Sequence, residues 1–227
     1  MSKLKYLYAN GDSWVAGDGV EEKGYKIQGT KRCSKLLSDK LGLIEINESI
    51  SGGSNDRMVR RTIRWFDNNT DKWDEVLVVL GFTTPHRMEY WDPVDKKWVG
   101  WAHSYIKGSF VSKSDKKWWE KYVTLFWHDV NVNYKLKNQI LLLTSFFDSN
   151  NIKYLMFFSW EGGYEFKDVK DFKTINTKYF LPEEFLDFIL KELGRKKAFT
   201  KCDHASVEGH KIWTEKLCKE LKDRKVT

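Results

Sequence analysis

Cysteine is scarce in this sequence, and long apolar runs are missing. The three cysteines, Cys33, Cys202 and Cys218, form no CxxC pair and no Cys/His cluster of metal-ligand spacing, so neither a disulfide framework nor a zinc site is indicated. No segment approaches the roughly 18 uninterrupted apolar residues that a membrane span requires. The opening MSKLKYLYAN has too short an apolar stretch for a secretory signal. The expectation is a soluble, cytoplasmic protein with no membrane partner. Repeats and low-complexity segments are lacking as well. Charge is not blocked into an arm: 39 Lys+Arg against 32 Asp+Glu leave a net +7 spread along the chain. That predicts a mild attraction to polyanions and no specific nucleic-acid site.

What is present is an alternation of apolar runs and amphipathic segments. KYLYANG reads as a strand ending at Gly11, and TKRCSKLLSDKLG sets Cys33, Leu36, Leu37 and Leu41 at helical spacing before a stop at Gly42. LIEIN is a second strand. SNDRMVRRTIRWF is a second helix, with Met58, Val59, Ile63 and Phe66 on one face and Arg57, Arg60, Arg61 and Arg64 on the other. Such an arginine row is expected to be a solvated face. EVLVVLGF and KYLMFFSW are the continuous runs of strands buried on both faces. PEEFLDFILKELG predicts a helix with Pro182 in its first turn, and a last helix starts near Ser206 and carries Ile212, Trp213, Leu217 and Leu221. Strands alternating with helices predict an α/β fold, in which helices cover a central parallel sheet. The length, 227 residues, suits one domain.

About seventy residues separate the third and fourth strands, more than a crossover helix needs, so an insertion is expected at about 84–128. EYWDPVDKKWVGW predicts a hairpin turning at Asp92-Pro93 and Asp95-Lys96, and the stretch from Ser114 to Asn151 predicts one long or two broken helices. Six of the eleven tryptophans (Trp91, Trp98, Trp101, Trp118, Trp119 and Trp127) fall between residues 91 and 127. They form either a layer packed over the sheet edge or an aromatic platform for sugar rings or another flat ligand.

In an open parallel sheet, ligands bind at the carboxyl ends of the strands. There the sequence places Gly11-Asp12-Ser13, then NESISGGSND, then GFTTPHR, with CDHASVEGHKIW opening the last helix. A hydroxyl, backbone N–H donors beside glycines, side-chain donors and a histidine are the parts of an acyl-transfer site. A serine after a strand is otherwise a helix cap, and Gly52 and Gly53 are otherwise turn residues.

Across nearly its whole length the chain resembles the SGNH (GDSL-like) hydrolases, and among them the short SGNH-like proteins encoded by bacteriophages. Gly11-Asp12-Ser13 matches the family's N-terminal block, which implies Ser13 as nucleophile, and NESISGG matches the second block, which implies the Gly52 N–H as an oxyanion donor. His204, followed by Gly209, matches the C-terminal block and implies the general base, with His210 as the competing histidine. The family implies a three-layer α/β/α sandwich of flavodoxin-like type. Two positions depart from the pattern. Thr83 stands where the third block has an oxyanion-binding asparagine, so Thr83 or Asn55 is expected to supply that donor. Lys201 stands three before His204, where the family has an aspartate, which leaves the adjacent Asp203 as candidate orienting carboxylate. Arg87, in the loop after the third strand, is a candidate for an anionic substrate group. His86, His103 and His128 are unassigned. The implied activity is hydrolysis of a small ester, such as an O-acyl group on a carbohydrate, with no metal or organic cofactor. The alternative is a catalytically decayed scaffold that serves as a binding or structural protein, in a virion or directed at a host.

Overall fold

The computed structural model describes residues 4–19, 30–102, 129–160 and 177–226, with Lys117, Glu120 to Tyr122 and Thr124 between them. Four parallel strands form the central sheet: β1 (Tyr6–Asn10), β2 (Ile44–Asn47), β3 (Val76–Thr83) and a later strand, Lys153–Trp160, in the order second, first, third, last. Tyr8 pairs with Ile46 on one side and Val78 on the other, and Val78 with Tyr154 beyond. Between β3 and the last strand lies the predicted hairpin, β4 (Arg87–Asp92) with β5 (Lys97–Ala102), antiparallel with Trp91 opposite Trp98. The last sheet strand is therefore β6. The hairpin's turn is held by Asp92, whose carboxylate accepts from Val94 N at 2.8 Å and Asp95 N at 3.1 Å.

Alternation along the strands fills two cores. Leu7, Ala9, Leu77, Val79, Leu155 and Phe157 point to one face. There they meet Leu37 of α2 (Cys33–Leu41), Phe185 and Ile189 of a helix over Phe185–Leu193, and Trp213, Leu217 and Leu221 of the final helix, Val207–Asp223. Tyr8, Val78, Leu80, Phe82, Met156 and Phe158 point to the other face, against Met58 and Phe66 of α3 (Asn55–Asp67) and Leu136, Ile140, Leu143 and Phe147 of α4 (Asp129–Ser149). Each fully buried Leu, Ile, Val, Phe or Met among them contributes about 1.5–3 kcal/mol relative to exposure. Two cores with one sheet between them make the three-layer α/β/α sandwich that the sequence predicts. Numbering in chain order, the short helix Ser13–Ala16 is α1, Phe185–Leu193 is α5, Arg195–Ala198 is α6 and Val207–Asp223 is α7.

Two local expectations are corrected. Pro182 lies before the first turn of α5, because Glu184 is the extended N-cap (φ −78°, ψ 144°) and helical geometry begins at Phe185. The arginine row of α3 is not simply solvated: Arg60 pairs bidentately with Glu89 of the hairpin, at 2.7 and 2.8 Å, and Arg61 pairs with Glu48. The guanidinium of Arg57 donates to the Glu48 carbonyl at 2.7 Å. The hairpin and the loop after β2 supply those acceptors, and neither is adjacent in sequence. The expected helix from Ser114 is described from Asp129 onward as α4. Most of the residues before it, with His103, Trp118, Trp119, His128 and Trp127, lie outside the described residues, as does the side chain of Trp101. The cysteines are free thiols, and among the described residues no helix is long and apolar enough to cross a membrane.

Candidate active site

β1 delivers its C-terminal end into a tight turn. A side chain at Gly11 would have its Cβ 2.7 Å from Val15 Cγ2 and 2.8 Å from the Gly81 carbonyl, so the turn closes only over glycine. Asp12 then caps α1, accepting from Trp14 N at 3.0 Å. Ser13 is the first helical residue, 5% exposed, and Gly17 ends the helix in a left-handed conformation. The Gly52 loop is laid over this turn: Ile50 N–H donates to the Gly11 carbonyl at 3.4 Å, and a Cβ at Gly53 would meet that same oxygen at 2.9 Å. Gly52 itself is left-handed, φ +68°.

On the β3 side, Asp12 is a hub. Its Oδ2 accepts from Thr83 Oγ1 at 2.8 Å and from Arg87 Nη1 at 3.1 Å. The same Nη1 donates to Thr83 Oγ1 at 3.1 Å and to the Gly53 carbonyl at 3.4 Å. Asn55 clasps the end of β3: its Oδ1 accepts from Thr83 N at 2.9 Å and its Nδ2 donates to Thr83 O at 2.8 Å. Thr83, Asn55 and Arg87 thus gather beside the Gly-Asp-Ser turn, with the hydroxyl proton of Thr83 directed to Asp12. Burial pushes the Asp12 carboxyl above the ordinary carboxylate range, against the pull of Arg87, Thr83 and the Trp14 N–H.

His204 approaches from the other side. Its ring centroid is 6.2 Å from that of Trp14, the residue after Ser13. Its Nδ1 lies 3.1 Å from the Cys202 carbonyl. A carbonyl only accepts, so Nδ1 carries the proton and Nε2 is left as the acceptor nitrogen. Asp203 turns elsewhere: its carboxylate pairs with Arg195 at 3.2 Å, with both side chains 76% exposed. His210 is fully buried in α7, where Nδ1 accepts from Cys33 N at 3.1 Å and Phe185 packs edge-on against the ring. Burial depresses its pKa to about 3, so it is a neutral core histidine. Among the described residues no group of three His, Cys, Asp or Glu side chains has the arrangement of a metal site.

Sequence reasoning missed two parts of this constellation. The carbonyl of Cys202 carries no side-chain signal at all. The hub role of Asp12 was present only as the middle letter of Gly-Asp-Ser.

Residues 21–176 match the model of a family of unknown function, DUF6071. The chain belongs to the DUF6071 family. Ser13 and His204 both lie outside the span that defines DUF6071 here. No curated protein matches this DUF6071 member. Among solved structures it is similar to the esterase EstA from Pseudoalteromonas sp., with TM-score 0.54 at 14% identity over 96% of this chain and 97% of the esterase. It is similar to TesA, with TM-score 0.56 at 13% identity over 97% and 99%. A third is a protein assigned to the lipolytic G-D-S-L family from Desulfitobacterium hafniense, with TM-score 0.51 at 13% identity over 96% and 99%. At such identities the likeness is one of fold, and the fold is that of the SGNH hydrolases.

Proposed function

We propose that this DUF6071 protein hydrolyses esters, with Ser13 as nucleophile and His204 as general base. The observation that carries the reading is the setting of His204, whose ring lies beside the Ser13-Trp14 turn with Nδ1 committed to the Cys202 carbonyl. In the proposed reaction Nε2 takes the Ser13 proton as the hydroxyl oxygen attacks the ester carbonyl. The ester C–O bond then breaks, the alcohol leaves with the proton from Nε2, and a water that gives its proton to Nε2 hydrolyses the acyl-serine to the free acid and restores the Ser13 hydroxyl. A fixed acceptor on Nδ1 does for the imidazole what a carboxylate does in a triad: it sets the tautomer and orientation. The backbone N–H groups of Ser13 and Gly52 hold the oxyanion. Thr83 and Asn55 act as positioning residues, because their polar atoms are engaged with Asp12 and with the main chain of β3. The third donor falls to Arg87, whose Nη2 and Nε make no protein hydrogen bond among the described residues, while Nη1 anchors the group. The alcohol is proposed to be a carbohydrate, in keeping with the half-exposed Trp91 and Trp98 of the hairpin that follows β3.

Labelling with a fluorophosphonate tests the nucleophile. Wild type should be labelled at Ser13, while Ser13→Ala and His204→Ala should not. Both substitutions should lower p-nitrophenyl acetate hydrolysis by about 10⁴-fold or more, with Ser13→Ala leaving the melting temperature nearly unchanged. A second reading, a non-catalytic binding scaffold, draws support from the pairing of Asp203 with Arg195. A folded wild type that stays unlabelled would decide for it.

A further inference from the structure

A groove of about 850 Å³ opens between α3, the β4–β5 hairpin and α4, separate from the Ser13 turn. One face of α4, from Asn131 through Lys135 and Asn138 to Leu142, forms one wall, and Trp98 of the hairpin lines the groove as well. We infer that this groove binds an uncharged oligosaccharide. Its charges cancel within the protein. Arg60 is spent on Glu89, and Asp56 accepts from Lys135 at 2.6 Å, Gln139 at 2.7 Å and Glu89 N at 3.2 Å. Two carboxylates and two cations, paired off, leave no net field to select a charged ligand, in contrast to the chain's overall +7.

What remains available is flat apolar surface beside neutral hydrogen-bonding groups. Trp98 is 45% exposed yet held firmly: the Arg60 guanidinium lies 4.3 Å from its ring centroid, itself fixed by Glu89, and Trp91 packs edge-on at 5.7 Å. A large aromatic fixed in this way binds without losing rotamer freedom. Asn138 is exposed and its side chain makes no hydrogen bond among the described residues, which leaves an amide donor and acceptor on the α4 wall. Sugar rings match this pairing, with C–H faces for the indole and hydroxyls for the amide.

The groove adjoins the candidate active site through two elements. Asn55 clasps Thr83 while the next residue, Asp56, lines the groove. Arg87 reaches Asp12 while Glu89, two residues along β4, lines it too. That this glycan is the alcohol of a cleaved ester rests on the proposed function; the binding itself does not.

Calorimetric titration of the full-length Ser13→Ala protein, which turns nothing over, tests the groove. Cellohexaose, xylohexaose, chitohexaose and mannohexaose serve as neutral probes, with heparin and polygalacturonate as anionic ones. At least one neutral probe should bind, and Trp98→Ala should weaken it about tenfold or more. Asn138→Ala should weaken it about threefold, and Val94→Ala, at the exposed hairpin turn outside the groove, should not change it. If Trp98→Ala fails to fold, Asn138→Ala decides. Binding to the anionic probes alone, no binding of any neutral probe, or affinity indifferent to both groove substitutions would overturn the inference. Fluorophosphonate labelling of wild type reads the hydrolase proposal separately, so glycan binding without labelling would sink only the latter.

Discussion

The two sides of the Gly-Asp-Ser turn are built differently. On the β3 side, Asp12, Thr83, Asn55 and Arg87 hydrogen-bond one another, and the Asp12 carboxylate is fully buried. On the α7 side, His204 is only partly buried and, among the described residues, its ring hydrogen-bonds one partner, a backbone carbonyl. The first side is a lock, in which Asp12, Thr83, Asn55 and the Arg87 Nη1 hold one another in place. The second leaves a basic nitrogen uncommitted. Under the proposed function, acyl transfer draws on both: fixed hydrogen-bonding groups on one flank and a nitrogen able to take up a proton on the other.

Breaking the lock should give the largest effect. Arg87→Ala leaves the Asp12 carboxylate buried without its cation, and removal of one partner of a buried pair costs about 3–5 kcal/mol. Urea unfolding should register that loss. The double variant Asp12→Asn/Arg87→Ala should recover most of the stability, because the amide needs no counter-charge. Esterase activity should stay depressed in the double variant by about 10²-fold or more if Arg87 is an oxyanion donor. Recovery of both together would reduce Arg87 to a structural partner of Asp12. Little loss of stability in the single variant would show that the β3 side is not locked.

A smaller effect sharpens the contrast between the two histidines of the last block. His210 has a folded pKa of about 3, against an ordinary value of 6.5. Between those values the unfolded chain binds a proton that the folded chain does not. Stability is therefore full above the unfolded pKa and falls as pH drops through that window. His210→Asn keeps an acceptor for the Cys33 N–H and removes the titration. The slope of unfolding free energy against pH should become shallower by up to about 1.4 kcal/mol per pH unit. An unchanged acid limb would mean that His210 is not the buried neutral group described.

Much of this was legible in the chain. The continuous runs EVLVVLGF and KYLMFFSW give β3 and β6, and the Asp92-Pro93 turn gives the hairpin, because burial on both faces and turn chemistry are local properties. Motif order likewise placed Ser13, Gly52, Thr83, Asn55 and Arg87 at one sheet edge. Contacts between distant segments were not legible. Nothing in RMVRRTIR indicates that Arg60 meets Glu89 or that Arg61 meets Glu48, since those acceptors lie 29 and 13 residues away. The partner of His204 was hidden for another reason: a backbone carbonyl belongs to every residue, so no residue type advertises it.

The smallest expected effect is the most telling for the α7 side. Asp203 stands next to His204 in sequence and is the carboxylate that spacing alone would choose, yet its side chain is 76% exposed and paired with Arg195. An exposed pair of this kind is worth about 0–1 kcal/mol. Asp203 also adopts a left-handed φ of +57°, a conformation that asparagine tolerates as readily as aspartate. Asp203→Asn therefore keeps the backbone and removes only the charge. If the Cys202 carbonyl orients the imidazole, kcat/KM for p-nitrophenyl acetate should stay within about twofold of wild type, while a triad carboxylate changed to its amide costs about 10⁴-fold. A loss of tenfold or more, with an unchanged melting temperature, would mean that the Asp203 carboxylate leaves Arg195 and swings to the ring during turnover. The α7 side would then be completed by motion, in contrast to the fixed network across the turn.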